Sequence, residues 1–259
     1  MRYKNAYITT ILLMFFITPL VISKDAGYDS TFGHPALSIG KDIEYDFTFV
    51  RLKYSGSFRH KSLWHIDYPA AERNLLIQLR KHTDIKASPL EKVVEVGSSE
   101  IFDYPFAYIA ELGRLNLSKA EAENLREYLL RGGFIMTDDF HGTEQWRRFY
   151  KQYKKIFPKR EPIDIPMTHP IFQCFFKIDE LMQIPAPAAY RSGRTHEKDG
   201  YQVKCMGVFD DKGRLMMMIN FNTDLGDAWQ NAAESFYPHK FSNMAFKMGI
   251  NAIVYTLTH

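Results

Sequence analysis

The stretch from Ser118 to Gly142 constrains the fold more than any other part of the chain. Ser118-Lys119-Ala120-Glu121 has capping-box spacing, in which a hydroxyl accepts from the amide three residues on and that residue's carboxylate reaches back. Leu125, Leu129 and Leu130 then give a helical stripe, and Gly132-Gly133 ends it. Phe134-Ile135-Met136-Thr137 is an apolar run with strand character, and it stops abruptly at Asp138-Asp139-Phe140-His141-Gly142. A capped helix feeding a short apolar strand belongs to an alternating strand and helix pattern, which folds as a sheet covered by helices. In an open α/β sheet, ligands bind in the loops beyond the carboxyl ends of the strands. The unit therefore locates a site as well as an element. Its chemistry is acidic, with one imidazole titrating near neutrality.

The rest of the chain repeats this alternation. Phe47 to Tyr54 has the β-branched and aromatic content of a strand. Tyr68 to Leu79 reads as a helix with Pro69 in its first turn. Val93 to Val96 and Phe106 to Ile109 are short strands, Thr143 to Ile156 is a charged amphipathic helix, and Leu215 to Phe221 is a further strand. Pro238 to about Leu257 closes the chain as a helix, with Phe241, Ala245, Met248, Ala252 and Tyr255 on one face. This order predicts an α/β fold: a mainly parallel sheet with helices on both faces. Pro166 to Gly213 is rich in turn residues and is expected to extend the sheet with antiparallel strands and long loops.

The N-terminus reads as an export signal. Arg2 and Lys4 precede the uncharged, mostly apolar run Ala6 to Ile22, which is longer than a usual signal core and just short of the ~20 residues of a spanning helix. A signal peptide or retained anchor is expected over residues 1–23, a tether over 24–45 and a single α/β domain over 46–259. The protein is thus expected to be exported, periplasmic or envelope-attached, touching a membrane only through an uncleaved N-terminal segment. The formal charge of +3 on 259 residues is small and includes that basic start, which argues against nucleic acid as a partner. The basic run Arg147-Arg148 with Lys151, Lys154 and Lys155 has the spacing of a solvated helix face. The two cysteines, Cys174 and Cys205, lie in apolar contexts that suit buried free thiols, while an oxidising compartment would permit a bridge between them.

Four polar strings carry the candidate chemistry. Asp138, Asp139, His141 and Glu144 form the first. Adjacent strand-end carboxylates point to opposite sides, so at most one of Asp138 and Asp139 shares a pocket with His141. Such a set suits a divalent cation, acid–base catalysis or hydrogen bonds to sugar hydroxyls. Its structural alternative is a helix N-cap by Asp139 or Thr143. The second string runs from Arg191 to Gly200. Arg194 there is placed to clamp an anion, and His196 with Glu197 to complete a metal or acid–base site, unless the segment is simply an exposed turn. The third alternates oxygen-bearing side chains, Asn220, Asn222, Asp224 and Asp227, up to Trp229. It fails as a calcium loop, because Leu225 occupies the glycine position and Asn231 the bidentate glutamate position. One face lining a pocket is the other reading, with Asp227 a possible helix cap and Trp229 either stacking on a sugar ring or packing. The fourth, Thr168-His169-Pro170, reads as a turn histidine.

Leu117 to Pro185, with its Gly-Gly strand, polar loop, His169-Pro170-Ile171 and Asp179-Glu180-Leu181, resembles the class I glutamine amidotransferase-like superfamily, and its trehalose-utilisation-type branch in particular. A closer resemblance, over almost the whole chain after the leader, is to the bacterial domain-of-unknown-function family 4159. It is carried by Phe49-Val50-Arg51-Leu52-x-Tyr54, Asp67-Tyr68-Pro69, Asp138-Asp139-Phe140-His141-Gly142, Arg194 to Gly200, Asn220 to Trp229 and Gly249-Ile250-Asn251-Ala252. The resemblance implies a three-layer, flavodoxin-like fold and an envelope setting with envelope protein partners, and no known activity. True amidotransferases carry a cysteine in Gly-x-Cys-x-Gly. Neither Cys174 nor Cys205 lies in that motif, and a carboxylate cannot replace the thiolate in glutamine hydrolysis.

Two uses of the site follow. One is a non-catalytic domain binding a small molecule, carbohydrate or partner at the strand ends, with Arg194, Asn220, Asn222, Asp224, Asp227 and Trp229 as ligand contacts; Trp64 and Trp146 also suit polyol recognition. The other is a metal-assisted or carboxylate-based hydrolase using Asp138, Asp139, His141, His196 and Glu197, with Asp139, His141, His196 and Glu197 as candidate ligands of a divalent metal. Convergence of these distant strings on one crevice separates a working site from individually satisfied turn residues.

Overall fold

The computed structural model describes residues 44–56 and 61–259. The leader expected over 1–23 and the tether over 24–45 lie outside the described residues, apart from Glu44 and Tyr45. The strands are β1 (Val50–Lys53), β2 (Lys92–Glu95), β3 (Phe106–Ala110), β4 (Phe134–Asp138), β5 (Ile163–Asp164), β6 (Lys204–Phe209) and β7 (Leu215–Phe221). The helices are α1 (Ala70–His82), α2 (Lys119–Leu130), α3 (Gly142–Ile156), α4 (Pro187–Arg191), α5 (Leu225–Gln230) and α6 (His239–Thr258). They build one 7-stranded sheet in the order β2-β1-β3-β4-β7-β6-β5. Strands β2, β1, β3, β4 and β7 pair in parallel, while β6 is antiparallel to β7 and β5 to β6. The antiparallel extension expected from composition is present, and it begins at Ile163, upstream of the segment that suggested it.

Helices cover both faces, as a parallel sheet requires. On one face Phe49, Phe106, Tyr108, Phe134 and Met136 pack against α1, α5 and α6 through Leu75, Trp229, Phe241 and Ala245. On the other, Val50, Leu52, Ile109 and Ile135 meet α2 and α3 through Leu125, Leu129, Phe149 and Tyr153. Alternate residues of each strand therefore serve opposite cores, which is the period-two geometry of a pleated strand. No described helix is long and apolar enough to cross a membrane.

Local rules set the boundaries of α2. The Ser118 hydroxyl accepts from the Glu121 amide at 3.2 Å, and the Glu121 carboxylate accepts from the Ser118 amide at 2.7 Å. Ser118→Ala removes one half of this box and is expected to cost about 1 kcal/mol of unfolding free energy in urea titrations. Helix α1 begins two residues later than its periodicity indicates, with Pro69 at its N-cap, and extends to His82.

One pair in the core is not apolar. Arg51 on β1 and Glu72 on α1 are both fully buried and bonded to each other through Arg51 Nε. The guanidinium also lies 4.6 Å from the Tyr108 ring centroid and donates from Nη1 to the Trp64 carbonyl at 3.2 Å. Arg51 and Tyr108 are direct partners in the β1–β3 register, so the cation is delivered beneath the strand ends by the sheet itself.

Candidate functional site

Parallel pairing points the carboxyl ends of β1, β3, β4 and β7 toward one edge. The residues that follow these strands include Asp67 after β1, Glu111 after β3, Asp139 and His141 after β4, and Asp224 and Asp227 after β7. Strands far apart in the chain thus bring their acidic loops together in one largely buried crevice between the strand-end loops, where Asp139, His141 and Asp224 meet. The backbone there is unusual: Asp67, Glu111, Asp139, Lys198 and Asn222 all adopt left-handed conformations, with φ from 51° to 61°. L-residues visit that region seldom and at a cost, and its concentration in loops around one crevice is the pattern of a functional site.

The two adjacent aspartates separate at the end of β4, where Asp138 is the last strand residue and Asp139 turns left-handed. Asp138 turns into the interior and is fully buried. It accepts from the Tyr108 hydroxyl and, through Oδ2, from the Leu225 and Gly226 amides at 2.6 and 3.1 Å. Burial raises its carboxyl to about 6 despite these donors. Asp138 is therefore an anchor for the start of α5, not a group that meets a ligand. Asp139 turns into the crevice, where Nε2 of His141 lies 3.5 Å from its Oδ1.

Asp139, His141 and Asp224 each offer one ligand atom, and these atoms lie within 4.8 Å of one another. The His141 ring is the most telling member. Its residue is 2% exposed, and neither ring nitrogen has a hydrogen-bond partner. Burial lowers its pKa, which favours the neutral, ligating form. Asp224 caps α5, accepting from the Asp227 amide at 2.8 Å. The helix expected to begin with Asp227 as cap is therefore capped by Asp224, three residues earlier.

The surrounding carboxylates reinforce one another. Burial first, then Asp227 and Asp139, push Asp67 up to about 9. Burial, then Asp138, raise Asp139, while burial, then Asp139, raise Asp224 well above the carboxylate range. Asp227 rises through burial first, with Glu197 adding to it. Glu111 reaches about 7 through burial and then Asp139, and its buried Oε2 has no hydrogen-bond partner. The crevice thus concentrates negative charge that protons or a cation must balance.

The α3 N-terminus is satisfied from elsewhere, so neither Asp139 nor Thr143 is its cap. Asp199 accepts from the Thr143 amide at 2.9 Å, and Asn222 Oδ1 accepts from the Gly142 amide at 2.9 Å. Gly142 has φ +75°, and a Cβ there would collide with the Asp199 carboxylate, so the close approach requires glycine. Asn222 Nδ2 donates to the Gln202 carbonyl at 2.7 Å, which makes it a clamp between loops.

Other expected site residues lie elsewhere. Trp229 is fully buried against the Tyr108 ring at 5.5 Å and packs the core instead of offering a sugar platform. Asn220 is buried and donates to the Thr137 carbonyl at 3.0 Å, tying β7 to β4. Arg194 is exposed and donates to Ser192 Oγ at 3.0 Å, a local bond within its own loop. His196 packs against Tyr201, ring centroids 4.7 Å apart and planes tilted by 56°, and is not among the grouped ligand atoms. Glu197 is closer to the action: its charge bears on Asp139, His141 and Asp227. Glu144 is exposed and paired with Arg147 and Arg148, which hold it at about 2. His169 is a turn histidine, its Nδ1 accepting from the Ile171 amide at 3.1 Å. Asp67 and Glu111 were missed as site residues, although each follows a segment readable as a strand.

Cys174 and Cys205 are free thiols. Cys174 donates to the Asn251 carbonyl at 3.3 Å, Cys205 is buried in the core, and burial pushes both thiols up. A raised thiol is a poor nucleophile.

Fold and site together define a class: an α/β domain with a parallel-centred sheet and an acid–imidazole crevice at its strand ends. The chain belongs to the family described as domain of unknown function (DUF4159), whose model matches residues 48–257. None of the curated proteins matches the chain.

Proposed function

We propose that the domain is a divalent-cation-dependent ligand-binding domain, with the cation held by Asp139, His141 and Asp224. The observation that carries this reading is the buried imidazole of His141, unpartnered at both nitrogens and grouped with two carboxylates. A buried polar group without a partner is costly, and a cation would satisfy it while offsetting the surrounding negative charge. Mixed imidazole and carboxylate donors suit manganese or zinc better than an all-oxygen calcium site. Donor atoms held tetrahedrally on one such ion at about 2.1 Å lie about 3.4 Å apart; His141 Nε2 and Asp139 Oδ1 already stand at 3.5 Å, and all three donors lie within 4.8 Å of one another.

A second reading, a metal-assisted or carboxylate-based hydrolase, is favoured by Glu111. Its buried, unpaired Oε2 stands at the end of β3 beside the charge of Asp139, the position a general base would take. The strand order 2-1-3-4 followed by β7 supports the likeness to flavodoxin-like and class I amidotransferase-like folds. The exported or envelope setting and envelope partners belong to the same proposal through the N-terminal sequence and the family resemblance.

Calorimetric titration of chelator-treated protein with manganese chloride or zinc chloride tests the reading. One equivalent is expected to bind, and His141→Ala is expected to weaken it about a hundredfold, near 2.7 kcal/mol. Equal affinity in the variant, or no binding of either metal by the wild type, would overturn it.

A further inference from the structure

A groove of about 380 Å³ lies between α1 and α6, with Ala232 and Ala233 of the loop after α5 in its wall. Both helices turn polar side chains to it, Gln78 and Lys81 from α1 and His239, Ser242 and Asn243 from α6. Ile77, which is 51% exposed, and Phe246 add apolar surface. No Asp or Glu is among the described residues that line it. The side chains of Lys81, His239 and Asn243 form no hydrogen bond or ion pair with the described residues. Ser242 is 2% exposed, and its Oγ has no hydrogen-bond partner among them. An unpaired buried hydroxyl is costly, so the wall of a polar groove holds a donor that lacks an acceptor. The groove also meets the positive end of α6, a helix of 20 residues. Its N-cap is Pro238, which supplies no side-chain acceptor, and its first turn has no acidic residue. The Phe241 amide donates to the Pro238 carbonyl at 3.0 Å, while those of His239 and Lys240 meet no described acceptor.

We infer that this groove binds a small phosphate monoester, with the phosphate at the end marked by His239 and Ser242 and the organic body against Ile77 and Phe246. The site goes beyond the cation reading, because none of its lining residues belongs to the acid–imidazole crevice. The groups left without partners decide the ligand class. The Lys81 ammonium, the Ser242 hydroxyl and the first amides of α6 are all donors, and two of these three carry full or partial positive charge. A cationic ligand would face that charge with no carboxylate to hold it. A neutral ligand would leave the ammonium uncompensated. A phosphate dianion brings three acceptor oxygens, enough to meet the ammonium, the hydroxyl and the helix end at once. A carboxylate brings two oxygens and one charge. The volume falls within the range of about 300–1,000 Å³ found for small-molecule sites, and the apolar surface of Ile77 and Phe246 gives the ester's carbon body a place that a bare ion would leave wet.

The test is calorimetry on the chelator-treated full chain without added metal, so that no phosphate is held through a cation at the crevice. The probes are glycerol 3-phosphate, ribose 5-phosphate and glucose 6-phosphate, set against inorganic phosphate, glycerate, glycerol and glucose. One equivalent of at least one ester is expected to bind, about tenfold or more tighter than inorganic phosphate or glycerate, with no binding of the two neutral compounds. Lys81→Ala should weaken the ester at least about tenfold. Ser242→Ala should weaken it about fivefold or more, yet leave the urea midpoint of the ligand-free protein unchanged or higher, since it removes an unpaired buried hydroxyl. Ester binding unchanged in both variants, or no ester bound more tightly than inorganic phosphate or the neutral compounds, would overturn the inference. Esters that bind only after manganese is added, and lose that binding in His141→Ala, would place the phosphate at the crevice and overturn the groove while upholding the cation site. Sedimentation with phosphatidate vesicles, without affinity for any free ester, would overturn the assignment to a small soluble ligand.

Discussion

In the presence of a chelator, the unfolding free energy is expected to fall by several kcal/mol as the pH rises from about 5 to about 9. Asp67, Asp138, Asp139, Asp224 and Asp227 all have native carboxyls raised above the ordinary value of 3.8, with burial as the first cause. Between the unfolded and native values the native state holds protons that the unfolded chain has released. Stability then declines with pH. The contribution is whole below about 4 and is lost through the native values, about 6 for Asp138 and about 9 for Asp67. Asp138 alone, raised from 3.8 to about 6, accounts for about 3 kcal/mol over its whole titration, of which about 1.4 kcal/mol is lost above pH 5. His141 acts the other way, because its lowered pKa destabilises the fold as pH falls below 6.5. His169, lowered by burial, acts as His141 does, and Glu111, raised to about 7, joins the five aspartates, so the carboxylates leave the decline dominant. Urea unfolding across this range should show the slope with chelator and a much flatter profile with excess manganese, since a ligand bound only by the native state stabilises it. A profile that is flat or rising with chelator would contradict the electrostatics described above.

The second large effect lies beneath the crevice. Arg51→Met is expected to cost about 3–5 kcal/mol, because it leaves Glu72 buried without its partner. The same change withdraws the cation that lowers Asp138 and Asp67. The double variant Arg51→Met with Glu72→Leu is expected to recover about 2 kcal/mol or more of that loss, since replacing both members of a buried pair is far milder than orphaning one. Denaturant titrations of the two singles and the double give the coupling directly. A single variant within about 1 kcal/mol of wild type would mean that the pair carries no such charge.

The elements with strong local rules were legible. Ser118 and Glu121 form the capping box their spacing indicates, and Phe134 to Asp138 is the central strand that follows it. Asp138 and Asp139 diverge as alternation indicates, but the left-handed backbone of Asp139 just past β4 sets the second direction. What the sequence could not reveal was tertiary. Arg51 reads as an ordinary charged strand residue, and only the β1–β3 register places it against Tyr108 and under Asp138. Asp67 and Glu111 become site residues because parallel strands end on one edge, a property of the sheet and not of either segment. The α3 cap was misplaced for the same reason: its donors are met by Asp199 and Asn222, 56 and 80 residues away in the chain. Trp229 sits in a polar string, yet its indole packs into the core against Tyr108, with Leu225 and Ala228 of the same short helix also buried.

The central claim, that Asp139, His141 and Asp224 form one cation centre, is tested most directly by anomalous diffraction from crystals soaked in manganese. The account predicts a single strong peak within about 2.3 Å of His141 and of both carboxylates. A well-ordered crystal in which that position stays dark while His141 turns to a hydrogen-bond partner of its own would contradict it.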